Sequence, residues 1–172
     1  MVENKILESR ARQISIEDRM SFIKNMKEIE LHKELKKLFG EIDKNANVQI
    51  THGNTELGSD LLVIRTDQFR ESIASVVVSM GDLAGETGHQ IARLTEQIKQ
   101  CIDIPREAPT RLDSAYTTEV WLVIAGNITP NARKRLIYQV KQEYKTALTI
   151  YNIEWLGNNE VDPIVRTARG LN

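Results

Sequence analysis

A carboxylate at the mouth of a predicted strand is the first feature of this sequence that could do chemistry. Gly58-Ser59-Asp60 precedes one apolar run, and a second apolar run, Val76-Val77-Val78, leads into Ser79. An aspartate held where a strand begins can bind a divalent ion, and the neighbouring strand presents its side chains about 5 Å away. We therefore predict Asp60 as a metal ligand. The alternative is an aspartate that only caps the junction between loop and strand.

Three further side chains are candidates for the same site. Glu34, on a predicted helix, and Glu56, in the turn before Asp60, could supply carboxylate ligands, although solvated helix and turn positions also explain both. Ser79 ends the buried strand, where it could contact phosphate or act only as a hydrogen-bonded residue at the edge of the core. If these assignments hold, Asp60, Glu34 and Ser79 lie within about 10 Å of one another, because adjacent strands are about 4.8 Å apart.

The histidines and the one cysteine are weaker candidates. No two histidines have the spacing of a metal-ligand pair. His52 could approach Asp60 from the end of the first strand, whereas His32 is expected on a polar helix face. Cys101 lies on the apolar face of its helix and is predicted to be a core thiol. A single cysteine excludes an intramolecular disulfide framework and a cysteine-based zinc site.

The apolar periodicity predicts one α/β domain over residues 15–172, with a mixed central sheet of about five strands flanked by helices. A long N-terminal helix begins at Ser15-Ile16-Glu17-Asp18, which resembles a capping box, and ends near Gly40. It could be interrupted near residues 26–30, and residues 1–14 precede it as an arm or a short helix. The order that follows is β-β-β-α-β-α-β, with strands at 48–51, 61–65, 73–79, 120–125 and 149–153 and helices over about 88–102 and 130–146.

This succession resembles the restriction-endonuclease-like, PD-(D/E)xK nuclease superfamily, most nearly its Mrr-like branch. The resemblance covers about residues 30–156 and implies a restriction-endonuclease-like fold, carboxylates that bind Mg²⁺, and a nucleic-acid substrate. Such domains often stand at the N-terminus of bacterial anti-phage proteins, so a defence system is the implied context. The features that carry the resemblance are a helix with an inward Glu34, a Gly-x-Asp strand at Asp60, a Val-rich strand ending in Gly81-Asp82, a late strand Val-Trp-Leu-Val-Ile-Ala-Gly before a helix, and a terminal strand ending in Trp155-Leu156.

The sequence differs from the family at the two third-strand positions on which catalysis depends. The family's third strand carries an acidic residue or glutamine and, two positions later, a lysine; the corresponding positions here are Val77 and Ser79. No lysine lies within residues 46–98, and the nearby cations are Arg65, Arg70 and Arg93. Arginine transfers protons poorly because it stays protonated.

We therefore expect a nuclease-like domain that has lost catalysis, with at most a weak Mg²⁺ site. It would bind DNA, a defence-system protein or a second copy of itself. The alternative is an active Mg²⁺-dependent DNA endonuclease with a rearranged site built from Glu34, Asp60 and Glu56.

Composition and charge narrow the function classes further. The chain has 172 residues and a formal net charge of −1, which argues against a protein that coats nucleic acid but permits a local groove. Residues 51–104 hold 4 basic and 8 acidic side chains, a net charge of −4 that would oppose a polyanion. Arg133-Lys134-Arg135, with Lys141 and Lys145, could meet a nucleic-acid backbone, although a solvated amphipathic face is the simpler interpretation.

No apolar stretch approaches the ~20 residues of a membrane span, and no signal peptide is evident, so a cytoplasmic location is predicted.

Overall fold

Two apolar strands form the centre of a five-stranded mixed sheet that has helices on both faces. The structure is a computed structural model that describes residues 15–51, 58–66, 71–85, 88–107, 114–143 and 147–158. The helices are α1 (Ile16–Asn25), α2 (Glu28–Ile42), α3 (Gly88–Asp103), α4 (Pro130–Glu143) and α5 (Ile153–Asn158). The strands are β1 (Ala46–Ile50), β2 (Leu61–Thr66), β3 (Glu71–Met80), β4 (Arg106–Glu107), β5 (Ser114–Ala115), β6 (Glu119–Ala125) and β7 (Ala147–Tyr151).

The strand order of the main sheet is β1-β2-β3-β6-β7, and its pairing changes sense at the centre. The first three strands pair antiparallel, whereas β6 is parallel to β3 and β7 is parallel to β6. Parallel neighbours need long crossovers, which here contain α3 and α4. The prediction of an α/β domain with a mixed sheet of about five strands is therefore confirmed.

Side-chain alternation along β3 divides the core into two layers. Val76 and Val78 pack with residues of α1, α2 and α5, whereas Val77 packs with residues of α3 and α4. β-Branched side chains suit a strand that is buried on both faces, which explains why this run reads as continuously apolar. Cys101 belongs to the second layer, so its prediction as a core thiol is confirmed.

The predicted long N-terminal helix is two helices, and the break falls near residues 26–30, where the sequence allowed an interruption. Ser15 caps α1 as predicted, since its hydroxyl oxygen accepts a hydrogen bond from the Asp18 amide at 3.1 Å. Met26 and Lys27 then adopt extended backbone angles, with ψ near 145° and 147°, which end α1 and begin α2. The Lys27 amide donates to the Glu30 carboxylate at 3.2 Å and so satisfies a donor at the new helix start. Glu28 is consequently the first residue of α2.

The end of the described chain also differs from the prediction. Trp155 and Leu156 lie in α5 and not in a terminal strand, because β7 ends at Tyr151 and Asn152 begins a helix. The Asn152 side-chain oxygen accepts a hydrogen bond from the Trp155 amide at 3.1 Å, which is the geometry of a helix N-cap. None of the helices in the described ranges is both long enough and apolar enough to cross a membrane.

Replacing Val123 with aspartate should abolish folding. Val123 is fully buried on β6, and an unpaired carboxylate there costs more than about 4 kcal/mol because the surrounding layer offers apolar contacts. The measurement is thermal unfolding followed by circular dichroism. Ile29→Asp is the matched control, since Ile29 is 53% exposed in the first turn of α2 and its replacement should leave the unfolding transition in place. A soluble Val123→Asp variant that melts cooperatively would contradict the placement of β6 at the centre.

Candidate functional site

Asp60 is fixed by hydrogen bonds to the strands on either side of it. Its amide donates to the Val76 carbonyl at 2.8 Å, and its own carbonyl accepts from the Thr51 amide at 2.9 Å. Its carboxylate oxygen Oδ2 accepts from the Val78 amide at 2.6 Å. The paired register of β2 with β3 stops at Leu61 and Val76, so β3 extends beyond β2 and the carboxylate takes the next amide of the overhanging strand. Asp60 thus caps the strand junction, as its alternative interpretation stated, and the same contact holds the carboxylate rigidly.

Gly58 allows the segment before Asp60 to pack against α3. Its φ is +85°, a left-handed backbone conformation that side chains disfavour. A Cβ atom at this position would lie 2.5 Å from the Gln97 carbonyl oxygen and 2.8 Å from the Gln100 Cβ. The Ser59 carbonyl then accepts a hydrogen bond from the Thr51 hydroxyl at 2.5 Å. A glycine is required here because both the backbone angle and the available space demand it.

Asp60 lies beside two residues from the first turns of α2. Glu28, His32 and Asp60 each offer a ligand atom, and these three atoms lie within 4.8 Å of one another. Glu28 and His32 are four residues apart, one helical turn, and therefore point to the same side of α2. Glu28 is exposed, Asp60 is half-buried, and His32 is only 2% exposed. We call these three residues the EHD cluster.

The burial of His32 corrects its prediction as a residue of a polar helix face. The α2 positions that contact the sheet include Leu31 and Leu35, and His32 borders them on the side that meets Asp60. The Glu-x-x-x-His spacing was the available signal for this pair.

Glu34 is buried, at 6% exposed, but it does not belong to the EHD cluster. It follows His32 by two residues, which is about 200° around a helix of 3.6 residues per turn, so the two side chains lie at opposite borders of the buried stripe. One Glu34 carboxylate oxygen pairs with the Lys37 ammonium at 3.0 Å. Its other oxygen, Oε2, is buried and accepts no hydrogen bond from the described residues.

Ser79 lies on the other side of the sheet from α2. It is 2% exposed, and because it alternates with Val78 it shares the face of Val77, which packs against α3 and α4. The β3 residues on the α2 face are Val76 and Val78. The nuclease family has an acidic residue and a lysine two positions apart on this strand. Neither Val77 and Ser79 on one face nor Val76 and Val78 on the other supplies those groups. Glu56 and His52 lie outside the described residues.

The nearby arginines do not replace the lysine. Arg65 donates to the Asp43 and Glu119 carboxylates at 2.9 Å each, and its guanidinium lies 5.1 Å from the centre of the Trp121 ring. It is also five residues along β2 from Asp60, about 17 Å at 3.3 Å per residue. Arg93 is exposed on α3, and Arg70 lies outside the described residues.

Cys101 is not positioned as a nucleophile. Burial raises the pKa of its thiol to about 12, with the Arg106 charge opposing this shift and the Asp60 charge adding to it. A thiol with such a pKa carries almost no thiolate at neutral pH, and the thiolate is the reactive form.

The donors of the EHD cluster do not fit the Mg²⁺ that the family resemblance implies. Mg²⁺ prefers an octahedral shell of oxygen atoms and is usually held by carboxylates and water. The cluster offers one imidazole nitrogen with two carboxylates, a set that suits first-row transition metals. The acidic residue that would complete an oxygen site on β3 is replaced by valine on the α2 face.

A second candidate surface lies on the outward side of α4. Ala132, Leu136 and Val140 pack into the core, which leaves the opposite side of the helix to solvent. No acidic residue occurs between positions 130 and 142. Tyr138 is 64% exposed in the middle of this surface. We call it the α4 basic face; a depression of about 610 Å³ in it is lined by Lys134, Arg135, Ile137, Tyr138 and Lys141.

Two arginines of α4 donate hydrogen bonds to backbone carbonyls outside the helix. Arg135 donates to the Gly85 carbonyl at 2.5 Å, and Arg133 donates to the Ile150 carbonyl at 3.3 Å. Lys134 and Lys141 make no ion pair among the residues whose side chains the structure describes. The two lysines therefore present their charges outward, one on each side of Tyr138.

Comparisons of the chain with protein-family models, with curated proteins and with solved structures found no match.

Replacing Gly58 with alanine should destabilise the protein by more than about 2 kcal/mol. A left-handed conformation costs a side chain about 1–2 kcal/mol, and the clash with the Gln97 carbonyl adds to that cost. Gly40→Ala is the matched control. Gly40 lies within α2 with no atom near its missing Cβ, so its replacement should stabilise the protein by about 0.5–1 kcal/mol. Denaturant unfolding measures both, and equal effects of the same sign would contradict the packing of Gly58 against α3.

Proposed function

We propose that this chain is a nuclease-like domain without strand-cleaving activity that binds DNA through the α4 basic face. The observation that carries the proposal is the exposed Tyr138 between Lys134 and Lys141 in a helical stretch, residues 130–142, that has no acidic residue. The order of elements around Asp60 supports the nuclease-like part. The helix with a buried Glu34, the Asp60 strand, the Val-rich β3 and the β6 strand before a helix occur in the order that the resemblance requires.

The α4 basic face suits a nucleic-acid backbone for electrostatic reasons. Lys134 and Lys141 are seven residues apart, about 10 Å along the helix axis. Lysines that neutralise phosphates release condensed counterions, which drives binding and makes it dependent on salt. Tyr138 offers an aromatic ring between the two charges, and stacking of a base on such a ring is tolerant of sequence. Binding with little sequence preference is therefore expected.

The loss of cleavage follows from what β3 lacks. Metal-assisted phosphodiester hydrolysis needs carboxylates that hold the ion and a positive group that stabilises the developing charge. The last five residues of β3, Val76–Met80, supply neither group. Losing one electrostatic stabiliser typically costs on the order of 10²–10³ in rate.

DNA binding should fall sharply when both lysines of the α4 basic face are reversed in charge. The measurement is fluorescence anisotropy of a labelled 20-base-pair duplex and a labelled single strand over a series of salt concentrations. For Lys134→Glu/Lys141→Glu we expect a loss of at least ~10-fold in affinity, and the slope of log affinity against log salt should fall in magnitude by about 2. Tyr138→Ala should weaken binding of the single strand more than binding of the duplex.

Lys33→Glu/Lys36→Glu is the matched control, because both lysines are exposed on α2 and the substitution changes net charge by the same amount. This variant should keep most of the affinity and salt slope. Equal losses in the two double variants would show that only net charge matters, and absence of binding by the unmodified chain would remove the proposal. Either result contradicts DNA binding through α4.

A second candidate function, metal-dependent DNA cleavage, is favoured by the EHD cluster alone. Plasmid nicking with Mg²⁺ or Mn²⁺ tests it, with Asp60→Ala as the control. We expect no cleavage above background by the unmodified protein. Nicking that is robust in the unmodified protein and disappears in Asp60→Ala would replace the binding proposal with the enzymatic one.

A further inference from the structure

We propose that Glu28, His32 and Asp60 form a binding site for a divalent first-row transition-metal ion, such as Zn²⁺, in preference to Mg²⁺. The site lies beside α2 and does not depend on DNA binding through α4. Two of its ligands lie at the start of α2. The third, Asp60, precedes β2 and is hydrogen-bonded to the Val78 amide near the end of β3.

Two of the three ligands are already held in place. His32 is almost fully buried on α2, so its ring has little freedom to turn away from the cluster. The Asp60 carboxylate is oriented by the Val78 amide, and a carboxylate with four lone-pair positions can accept this hydrogen bond and still bind an ion. Hydrogen bonds of this kind to a metal-binding group hold it in orientation and strengthen metal affinity.

Glu28 is the mobile ligand that completes the site. Metal–ligand distances of about 2.0–2.2 Å place the donor atoms of a bound ion roughly 3.0–3.4 Å apart, whereas the cluster atoms lie within 4.8 Å of one another. Because the Glu28 side chain is exposed, its rotation can bring its carboxylate toward an ion beside His32 and Asp60. The donor count also fits, because three protein ligands leave positions for water.

The chemistry of the donors selects the ion. An imidazole nitrogen is a good ligand for Zn²⁺, Cu²⁺, Ni²⁺ and Fe²⁺, while Mg²⁺, Ca²⁺ and Mn²⁺ favour shells of oxygen atoms. Charge acts in the same direction for any cation, since two carboxylates give the cluster a negative charge even when the imidazole is protonated. The imidazole binds a metal only in its neutral form, so protons compete with the ion for this ligand.

The experiment measures binding of Zn²⁺, Mn²⁺ and Mg²⁺ to the full chain by competition with a chromophoric chelator, together with the shift of the melting temperature at each ion concentration. We expect Zn²⁺ to bind at one site per chain and to raise the melting temperature, and Mn²⁺ and Mg²⁺ to bind at least ~10-fold more weakly. Co²⁺ added as a spectroscopic probe should give a visible absorption band that depends on His32.

The variants assign the ion to the cluster. Glu28→Gln and Asp60→Asn should each weaken Zn²⁺ binding by at least ~10-fold, and His32→Gln should abolish the Co²⁺ band. If His32→Gln fails to fold, Glu28→Gln carries the test, because Glu28 is exposed. Glu41→Gln and His89→Gln are the matched controls, one an exposed carboxylate of the same helix and the other an exposed imidazole of α3, and both should bind Zn²⁺ as the unmodified chain does.

Three results would overturn the proposal. They are the absence of stoichiometric binding, equal affinity for Mg²⁺ and Zn²⁺, and Zn²⁺ affinity that is unchanged in Glu28→Gln. A Zn²⁺ site that is lost only in His89→Gln would show that the ion binds elsewhere. None of these outcomes changes the anisotropy measurements on α4, so failure of the metal site and failure of the DNA-binding proposal are separately visible.

Discussion

Burial of both faces of β3 is the constraint on which the rest of this structure depends. A strand covered on both sides alternates its side chains between two layers, so all residues from Ile73 to Ser79 are buried and none faces solvent. No residue of this stretch is charged, and its two serines are buried. A carboxylate reaches the strand only where β3 extends beyond β2, and there Asp60 accepts the hydrogen bond of the Val78 amide. The candidate metal ligands gather at this overhang for that reason.

The parts of the fold that sequence predicted are those fixed by local chemistry. The apolar runs Val76–Val78 and Val120–Ala125 became parts of the central strands, because two-sided burial suits strands without alternating polar residues. Ser15 became a helix cap because its hydroxyl reaches the third amide of the turn whatever lies further along the chain. The expectation for Cys101 also held, since its spacing from Ile98 and Leu94 places it on the same buried stripe.

The errors arise where a distant contact decides between two local possibilities. Nothing near Met26 is a strong helix breaker; both sides of the break are explained by packing, with Ile23 and Met26 buried in the layer beneath α1 and α2. The burial of His32 follows from that break, because it sets which α2 residues face the sheet. On β3, a shift of one residue moves a side chain to the other layer, so a comparison by sequence could not decide whether Val77 or Val78 faces Asp60. Register is a property of the pairing with β2 and β6.

The two layers also explain how one domain can carry both the acidic EHD cluster and a basic face proposed to bind DNA. α2 and α4 lie on opposite faces of the sheet, so the EHD cluster and the α4 basic face are separated by two layers, on the order of 20 Å. Charges on the surface are screened over about 8 Å at physiological ionic strength. The negative charge around Asp60 therefore repels DNA at α4 only weakly, although it lies in the most acidic segment of the chain. A net charge counted along the sequence mixes these two surfaces, whereas the field that a ligand meets depends on which side of the sheet it approaches.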